Sequence, residues 1–249
     1  YVITQHDFSL AKGAGRASVH EDSIAFAEWY LDTHACTPGK VKDSLDEGKM
    51  MLHHETFPAQ IPYRALLPVE VDNLLVPVCL SATHVAWGAI RLEPAWMQIG
   101  ESAGYACALA RKQKIAPAAL DSRMLVRTLA ASRSMVSFFN DVDVSLGDEA
   151  VMAAQYFATR GFFGSYDAAL SGTLTGAEAG AWLAALAAPG QPSLPALSSA
   201  PAKDAPALTG AAWNDQIKRA GRVTSVPVSS QALTRADALV DLWRQETAR

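Results

Sequence analysis

Two polar side chains, His84 and Arg91, follow an apolar run and precede a helix-forming segment in the sequence NLLVPVCLSATHVAWGAIRLEP. Imidazole can move a proton near neutral pH, and guanidinium can bind a carboxylate or stabilise a developing negative charge. Polar groups on a loop after a buried strand are often functional. We therefore take both as candidate catalytic residues. The alternatives are a capping or loop hydrogen bond for His84 and an ion pair with Glu93 or another acid for Arg91.

The elements on either side must position these residues. Residues 71–81 form a continuous apolar run, which is typical of a strand buried on both faces. Pro94 favours a first helical turn and predicts a helix over 94–112. The positive end of such a helix would suit an anionic or electron-rich ligand, and Gly100 and Gly104 would let it come close. The alternative is a buried helix that packs tightly on a sheet through these glycines.

Composition excludes several classes of protein. The chain has 249 residues, is 50% hydrophobic and carries a net charge of -4, so it lacks the clustered basic residues of a nucleic-acid-binding protein. No apolar run reaches the ~20 residues of a membrane span. Six histidines without ligand spacing and three cysteines without a CxxC argue against a metal site or a disulfide framework. Cys79 and Cys107 are expected in the core.

The N-terminal region offers further polar candidates. The chain begins with Tyr1, and YVITQHD reads as a strand in mid-structure, so we expect a C-terminal fragment or a processed subunit. EDSIAFAEWYLDTH reads as a strand or a short helix. Within it, Asp32 and His34 either form a carboxylate–imidazole pair or merely share one face of a strand. His6 and Asp7 raise the same question.

Taken together, IPYRALLP, NLLVPVCLSATHVAWGAIRLEP and MQIGESAGYACALA resemble the C-terminal part of the FAD-dependent oxidoreductase family, often labelled xanthan lyase-like. The resemblance covers about residues 1–138. It implies an α/β fold that is the C-terminal portion of a glutathione reductase-type FAD-binding fold, with part of a β-rich substrate domain. FAD is the implied cofactor. The GxGxxG portion that binds the nucleotide would come from an N-terminal part of the same protein or from a partner subunit.

The resemblance also implies roles for particular residues. Hydride would pass between a small organic substrate and flavin, with His84 as acid or base and Arg91 as an electrostatic clamp. Ser81 or Thr83 would replace the acidic residue that many flavoproteins place against the ribityl chain. The substrate side would include His34, Tyr63 and Arg64. The flavin-proximal stretch would be Gly100, Glu101, Ser102, Ala103 and Gly104.

The implied domains are residues 1–70, part of the substrate-binding region, and residues 71–139, the C-terminal part of the FAD-binding domain. Residues 140–249 form a third, mostly α-helical domain with a Pro/Ala/Ser-rich linker at 188–208.

A weak internal repeat marks the third domain. LTGAEAGAWL at 174–183 resembles LTRADALVDLW at 233–243. Thr175 with Glu178 predicts a capping box, and Thr234 with Asp237 predicts a weaker version of it. Together with FFNDV and AAQYFATRGFFGSYD, these segments resemble an S-layer homology module. The alternative function of the chain is therefore a surface-polymer-binding or structural module, and a helical brace for the flavin domain is the other interpretation of this region.

Overall fold

The computed structural model describes residues 1–34, 42–43, 50–187 and 205–247 as a mixed α/β protein. Strand β1 pairs antiparallel with β4, and β2 pairs antiparallel with β3. The strands are β1 Ser23–Ala27, β2 Leu31–Thr33, β3 Met50–Leu52 and β4 Ala59–Pro62. The helices are α1 His84–Ile90, α2 Glu93–Gln113, α3 Ser122–Ala131, α4 Glu149–Thr159, α5 Gly176–Ala187, α6 Gly210–Arg219 and α7 Arg235–Thr247. Cys36 and most of the predicted linker lie outside the described residues.

The predicted buried strand over residues 71–81 is wrong. This segment is irregular, and Val71, Leu74 and Val78 are 43%, 48% and 44% exposed. Its end makes a single parallel bridge, between Ala82 and Ile3. Pro77 cannot donate to a sheet ladder, and no described strand runs beside the segment for it to pair with. An apolar run therefore lies at the surface.

Helix α2 confirms the helix predicted from Pro94. It runs from Glu93 to Gln113, has Pro94 in its first turn, and its C-cap residue, Lys114, lies in the left-handed region with φ 59°. The face that contains Ile99, Ser102 and Ala106 is buried against β1 and α3. Because residues three and four apart share a helix face, the opposite face contains the exposed residues Met97, Gly100, Glu101, Gly104 and Cys107.

The expectation that Cys79 and Cys107 lie in the core is wrong, since both thiols are exposed. Cys107 belongs to the outer face of α2, and Cys79 lies in the irregular segment that replaces the predicted strand. Apolar neighbours in sequence did not predict burial at either position, because the side of the element that faces the core is decided by packing.

Helix α1 packs directly on strand β2, and Gly88 makes this possible. A Cβ atom at Gly88 would lie 2.5 Å from the carbonyl oxygen of Asp32 and 2.8 Å from its backbone nitrogen. Such distances are far inside van der Waals contact, so only glycine allows the two backbones to come this close. The contact determines which side chains of α1 meet those of β2.

The C-terminal helices begin around a closed ring of backbone hydrogen bonds. Leu174 N–H donates to Leu233, Leu233 to Leu208 and Leu208 to Leu174, over 2.9, 2.7 and 2.7 Å. These leucines precede the starts of α5, α7 and α6. The ring therefore links the starts of the two predicted repeat helices, α5 and α7, to the start of α6.

Both predicted capping boxes are confirmed. Thr175 N–H donates to the Glu178 carboxylate at 3.0 Å and Glu178 N–H donates to the Thr175 hydroxyl at 3.3 Å. Thr234 and Asp237 make the same two bonds at 3.2 and 3.1 Å. The helices therefore begin where the sequence placed them.

The C-terminal helices share one hydrophobic core with the rest of the chain. The Tyr166 hydroxyl donates to the Pro58 carbonyl at 2.7 Å and accepts from the Ala17 N–H at 2.9 Å. Arg16 is 3% exposed and donates to the Ser165 carbonyl at 3.4 Å. These contacts cross the proposed boundary after residue 139, and the division into three domains stays a prediction.

Replacing Gly88 by alanine tests the contact between α1 and β2. We expect Gly88→Ala to lower the free energy of unfolding by about 1–3 kcal/mol, because the added methyl group meets backbone that cannot move aside. Gly180 is the matched control, since a Cβ there meets nothing within 4 Å. Gly180→Ala in α5 should leave the protein as stable or up to about 1 kcal/mol more stable. Urea unfolding followed by circular dichroism measures both, and equal effects would contradict the assigned contact.

Candidate functional site

The candidate site is built around the carboxylate of Asp32 on β2, which is 6% exposed. Arg91 donates from Nη2 to one carboxylate oxygen, Oδ2, at 2.9 Å. The Nε2 atom of His34 lies 3.0 Å from the other oxygen, Oδ1. Of the two alternatives for Asp32 and His34, the structure shows the pair, and the acid that pairs with Arg91 is Asp32 rather than Glu93.

Asp32 is held in its charged form by these two neighbours. Burial alone would raise the pKa of Asp32, but the adjacent His34 and Arg91 side chains outweigh burial and lower it. The carboxylate is thus ionised at neutral pH. The side chains of His34 and Arg91 are 56% and 35% exposed, so a molecule from solvent can reach both.

Local structure explains why Arg91 reaches β2. Arg91 is the C-cap of α1, and its N–H donates to the Trp87 carbonyl at 3.0 Å. Since Gly88 brings α1 onto the backbone of β2, the end of α1 lies over Asp32. Arg91 also comes two residues before Glu93, where α2 and its positive dipole end begin.

His84 lies away from this cluster. It is the exposed first residue of α1, and the Thr83 hydroxyl caps the helix by accepting from the Ala86 N–H at 3.2 Å. A rise of about 1.5 Å per residue separates His84 from Arg91 by about 10 Å along the helix. The two predicted catalytic residues therefore lie at opposite ends of α1.

The stretch expected to face a flavin lies two turns inside α2, so its backbone N–H groups are bonded within the helix. The positive end belongs to the first turn, at Glu93. Ser102 is fully buried and donates to the Ile24 carbonyl at 2.7 Å, and Ala103 is 8% exposed. Gly100, Glu101 and Gly104 face outward, and a Cβ on either glycine would meet nothing within 4 Å.

Tyr63 and Arg64, expected on the substrate side, contact other parts of the chain. Tyr63 is 2% exposed and its hydroxyl donates to the Pro117 carbonyl at 3.0 Å. Arg64 pairs with Asp22, and its guanidinium lies 4.2 Å from the ring centroid of Tyr1.

Sequence reasoning missed a buried polar network around Asp7. The Nδ1 atom of His20 lies 2.8 Å from the Arg64 guanidinium, and its Nε2 atom lies 3.1 Å from the Asp7 carboxylate. His20 therefore links Arg64 to Asp7. The Tyr1 hydroxyl also donates to the Asp7 carboxylate. Asp7 therefore pairs with His20 and not with its sequence neighbour His6. Thirteen residues separate the pair, so no local spacing pointed to it.

The network changes the pKa of Asp7. Burial raises it, but hydrogen bonds from His20, from Tyr1 and from the Thr4 N–H outweigh burial and lower the pKa of Asp7 from 3.8 to about 2. The ionised carboxylate is the form that the folded protein prefers.

This shift predicts how stability depends on pH. Because the folded state lowers the pKa of Asp7, its contribution is complete above about pH 4 and is lost as pH falls towards 2. Asp7→Asn should lower the free energy of unfolding at pH 7 by about 2 kcal/mol and flatten the decline between pH 4 and 2. Denaturant unfolding at several pH values measures this. Asp215→Asn, at an exposed position on α6, is the control, and an equal decline in both variants would contradict the role of Asp7.

Other features of the described chain do not join this site. A groove of about 660 Å³ lies between the start of α4, residues 225–233 and α7, and no predicted site residue lines it. The described residues contain no cluster of three or more potential metal ligands. None of the described helices is both long and apolar enough to cross a membrane.

A family model described as FAD dependent oxidoreductase matches residues 1–130. The match includes all four strands, α1 and α2, and with them Asp32, His34 and Arg91. Comparisons with curated proteins and with solved structures find no match. Because the matched residues make up more than half of the 249-residue sequence, the chain belongs to the FAD-dependent oxidoreductase family, and its cofactor is FAD.

Proposed function

We propose that this chain contributes the flavin-facing and substrate-facing residues of an oxidoreductase that transfers hydride between a small organic substrate and FAD. The N-terminal portion that binds the nucleotide comes from the same protein or from a partner subunit. When bound, FAD supplies the redox chemistry, and the protein binds, orients and provides charge. The observation that carries the proposal is the position of Arg91 beside the positive end of α2, within the residues that match the family.

The residues present fit the electron-rich end of a flavin. A helix of 21 residues, such as α2, has a positive dipole end in its first turn. Arg91 adds a full positive charge two residues before it. Both would stabilise negative charge that develops on a ligand held there. The segment GAGRAS at 13–18 has the first two glycines of a dinucleotide-binding motif, but Ser18 occupies the position of the third. This agrees with a nucleotide-binding portion elsewhere.

The outer face of α2 is open to a cofactor or a second backbone. Gly100 and Gly104 have free space above them, and the segment before α1 exposes Val69, Val71 and Leu74 by 99%, 43% and 48%. Several exposed apolar side chains in one segment favour a covering surface. The N-terminal portion is the cover that we propose, and it would shelter the flavin as well.

Ser81 suits the ribityl contact better than Thr83. The Thr83 hydroxyl already caps α1. Ser81 uses its backbone, accepting from the Ile3 N–H and donating to the Ala65 carbonyl, both over 2.9 Å. Its hydroxyl bonds to none of the residues that the structure describes, so it is available to a ligand. The helical region after residue 130 is outside the family match, and its interpretation as a surface-polymer-binding module remains a prediction.

A bulky side chain on the outer face of α2 tests the proposal. In the full-length protein, Gly104→Leu should weaken FAD binding about tenfold or more, equivalent to about 1.4 kcal/mol, because the side chain fills the space used by the cofactor or its covering portion. Gly180→Leu places the same side chain in equally open space on α5 and should leave binding unchanged. Titration of the apoprotein with FAD, followed by flavin fluorescence, gives both affinities.

Circular dichroism of the same variants shows whether the helices persist. Failure of the wild-type full-length protein to bind FAD would overturn the proposed function. Equal affinity of Gly104→Leu and wild type would overturn the assignment of α2.

A further inference from the structure

We propose that His34 is the acid–base residue of this oxidoreductase, that Asp32 positions it, and that Arg91 binds the carboxylate of a small hydroxy acid substrate. This inference rests on the proposed function and names the class of substrate for the same site. In this inference His34, rather than His84, is the residue that takes the proton from the substrate.

One carboxylate brings the two functional groups together. The two oxygens of Asp32 contact Arg91 at 2.9 Å and His34 at 3.0 Å. The guanidinium and the imidazole are therefore separated only by one carboxylate group and the two polar contacts that it makes. A small molecule with a hydroxyl next to its carboxylate can reach both at once. His84, about 10 Å along α1 from Arg91, does not share this arrangement.

Asp32 determines which nitrogen of His34 can take a proton. The Oδ1 atom of Asp32 is buried and accepts no hydrogen bond of regular geometry within the described residues, and a buried carboxylate oxygen requires a donor. The Nε2 atom of His34, 3.0 Å away, supplies it when this nitrogen carries the proton. In the neutral ring the other nitrogen, Nδ1, then carries the lone pair and can act as a base.

Arg91 retains donors for a substrate. A guanidinium has five N–H groups, and Asp32 engages the Nη2 nitrogen alone. The side chain is 35% exposed, so its remaining donors can form a forked pair with a carboxylate from solvent. Lysine could keep the charge but not the fork.

The close contact at Gly88 fixes the backbone of α1 against that of β2. Because the two backbones touch at Gly88 and Asp32, the chain positions that carry Arg91 and Asp32 stay close together as long as α1 packs on β2. Groups held in this way bind and orient a substrate without first having to be ordered.

The chemical step balances. The substrate loses its hydroxyl proton to Nδ1 of His34, and a carbonyl group forms at that carbon. The electron pair of the broken C–H bond leaves as the hydride that the proposed function assigns to FAD. The hydroxy acid is oxidised to a keto acid, and the proton on His34 returns to solvent through its exposed side chain.

The arrangement can be tested without a cofactor. In ¹⁵N-labelled full-length protein, at a pH where the ring is neutral, His34 should show a protonated Nε2 and an unprotonated Nδ1, with an Nε2 proton that exchanges slowly. Asp32→Ala should abolish the slow exchange, and His34→Gln assigns the signals. The charged groups that act on Asp32 in the described chain are His34 and Arg91. A wild-type His34 protonated on Nδ1 would overturn the inference.

Kinetics test the roles in the full-length protein loaded with FAD. Under anaerobic conditions, lactate, glycolate and malate serve as hydroxy acid probes, and 1,2-propanediol is the matched alcohol without a carboxylate. At least one acid should bleach the flavin, and propanediol should do so about 100-fold more slowly or not at all. His34→Gln should slow the reaction at saturation about 100-fold or more. Arg91→Lys should mainly raise KM, and Asp32→Asn should lower kcat and raise KM together.

Controls separate this inference from the proposed function. His54→Gln and Asp215→Asn change matched residues at exposed positions and should leave the rates unchanged. If the protein binds FAD and dithionite reduces it, but no hydroxy acid does, the inference is overturned and the proposed function stands. Equal bleaching by propanediol would also overturn it. A full-length protein without FAD would overturn the proposed function, and this inference with it.

Discussion

The pairing of the buried Asp32 carboxylate is the interaction on which the candidate site depends. Asp32 is 6% exposed, and burying a charged group costs free energy unless the charge is paired. Arg91 and His34 pair with it from two separate elements, and its lowered pKa shows that the paired, ionised form is favoured. The same contacts that stabilise the charge also bring the side chains of His34 and Arg91 to one place at the surface.

The packing of α1 on β2 provides the frame for this pairing. Gly88 allows the helix to touch the strand at Asp32, and the short connection from α1 to α2 then places the positive end of α2 close to Arg91. A strand, a short helix and a long helix thus converge on one charged cluster. The opposite face of α2 is exposed.

The C-terminal helices are held together by a different kind of interaction. The ring formed by Leu174, Leu208 and Leu233 ties three helix starts together through their backbones. Arg16 donates to the Ser165 carbonyl, and Tyr166 bonds to Ala17 and Pro58, so hydrogen bonds connect this region to the N-terminal part of the chain. The helical region is therefore packed against the flavin-family region through one shared core, as a brace would be.

Local signals predicted local structure well. Pro94 predicted the start of α2, and the Thr–x–x–acid pairs predicted the starts of α5 and α7, because a cap depends on residues within one helical turn. The buried strand over 71–81 was wrong for the converse reason. An apolar run specifies a strand only where a neighbouring strand pairs with it, and no described strand does so here.

The resemblance found in the sequence by itself indicated the family and the cofactor, and residue types marked Asp32, His34 and Arg91 among the polar candidates. The sequence also suggested the Asp32–His34 pair, whose members are two residues apart. Only the tertiary structure decided that Arg91, 59 residues from Asp32, completes this cluster. It likewise decided that His84 is at the other end of α1 and that Arg64 is held by Asp22. Charges far apart in the chain meet only where packing brings their elements together, and that packing is set at Gly88.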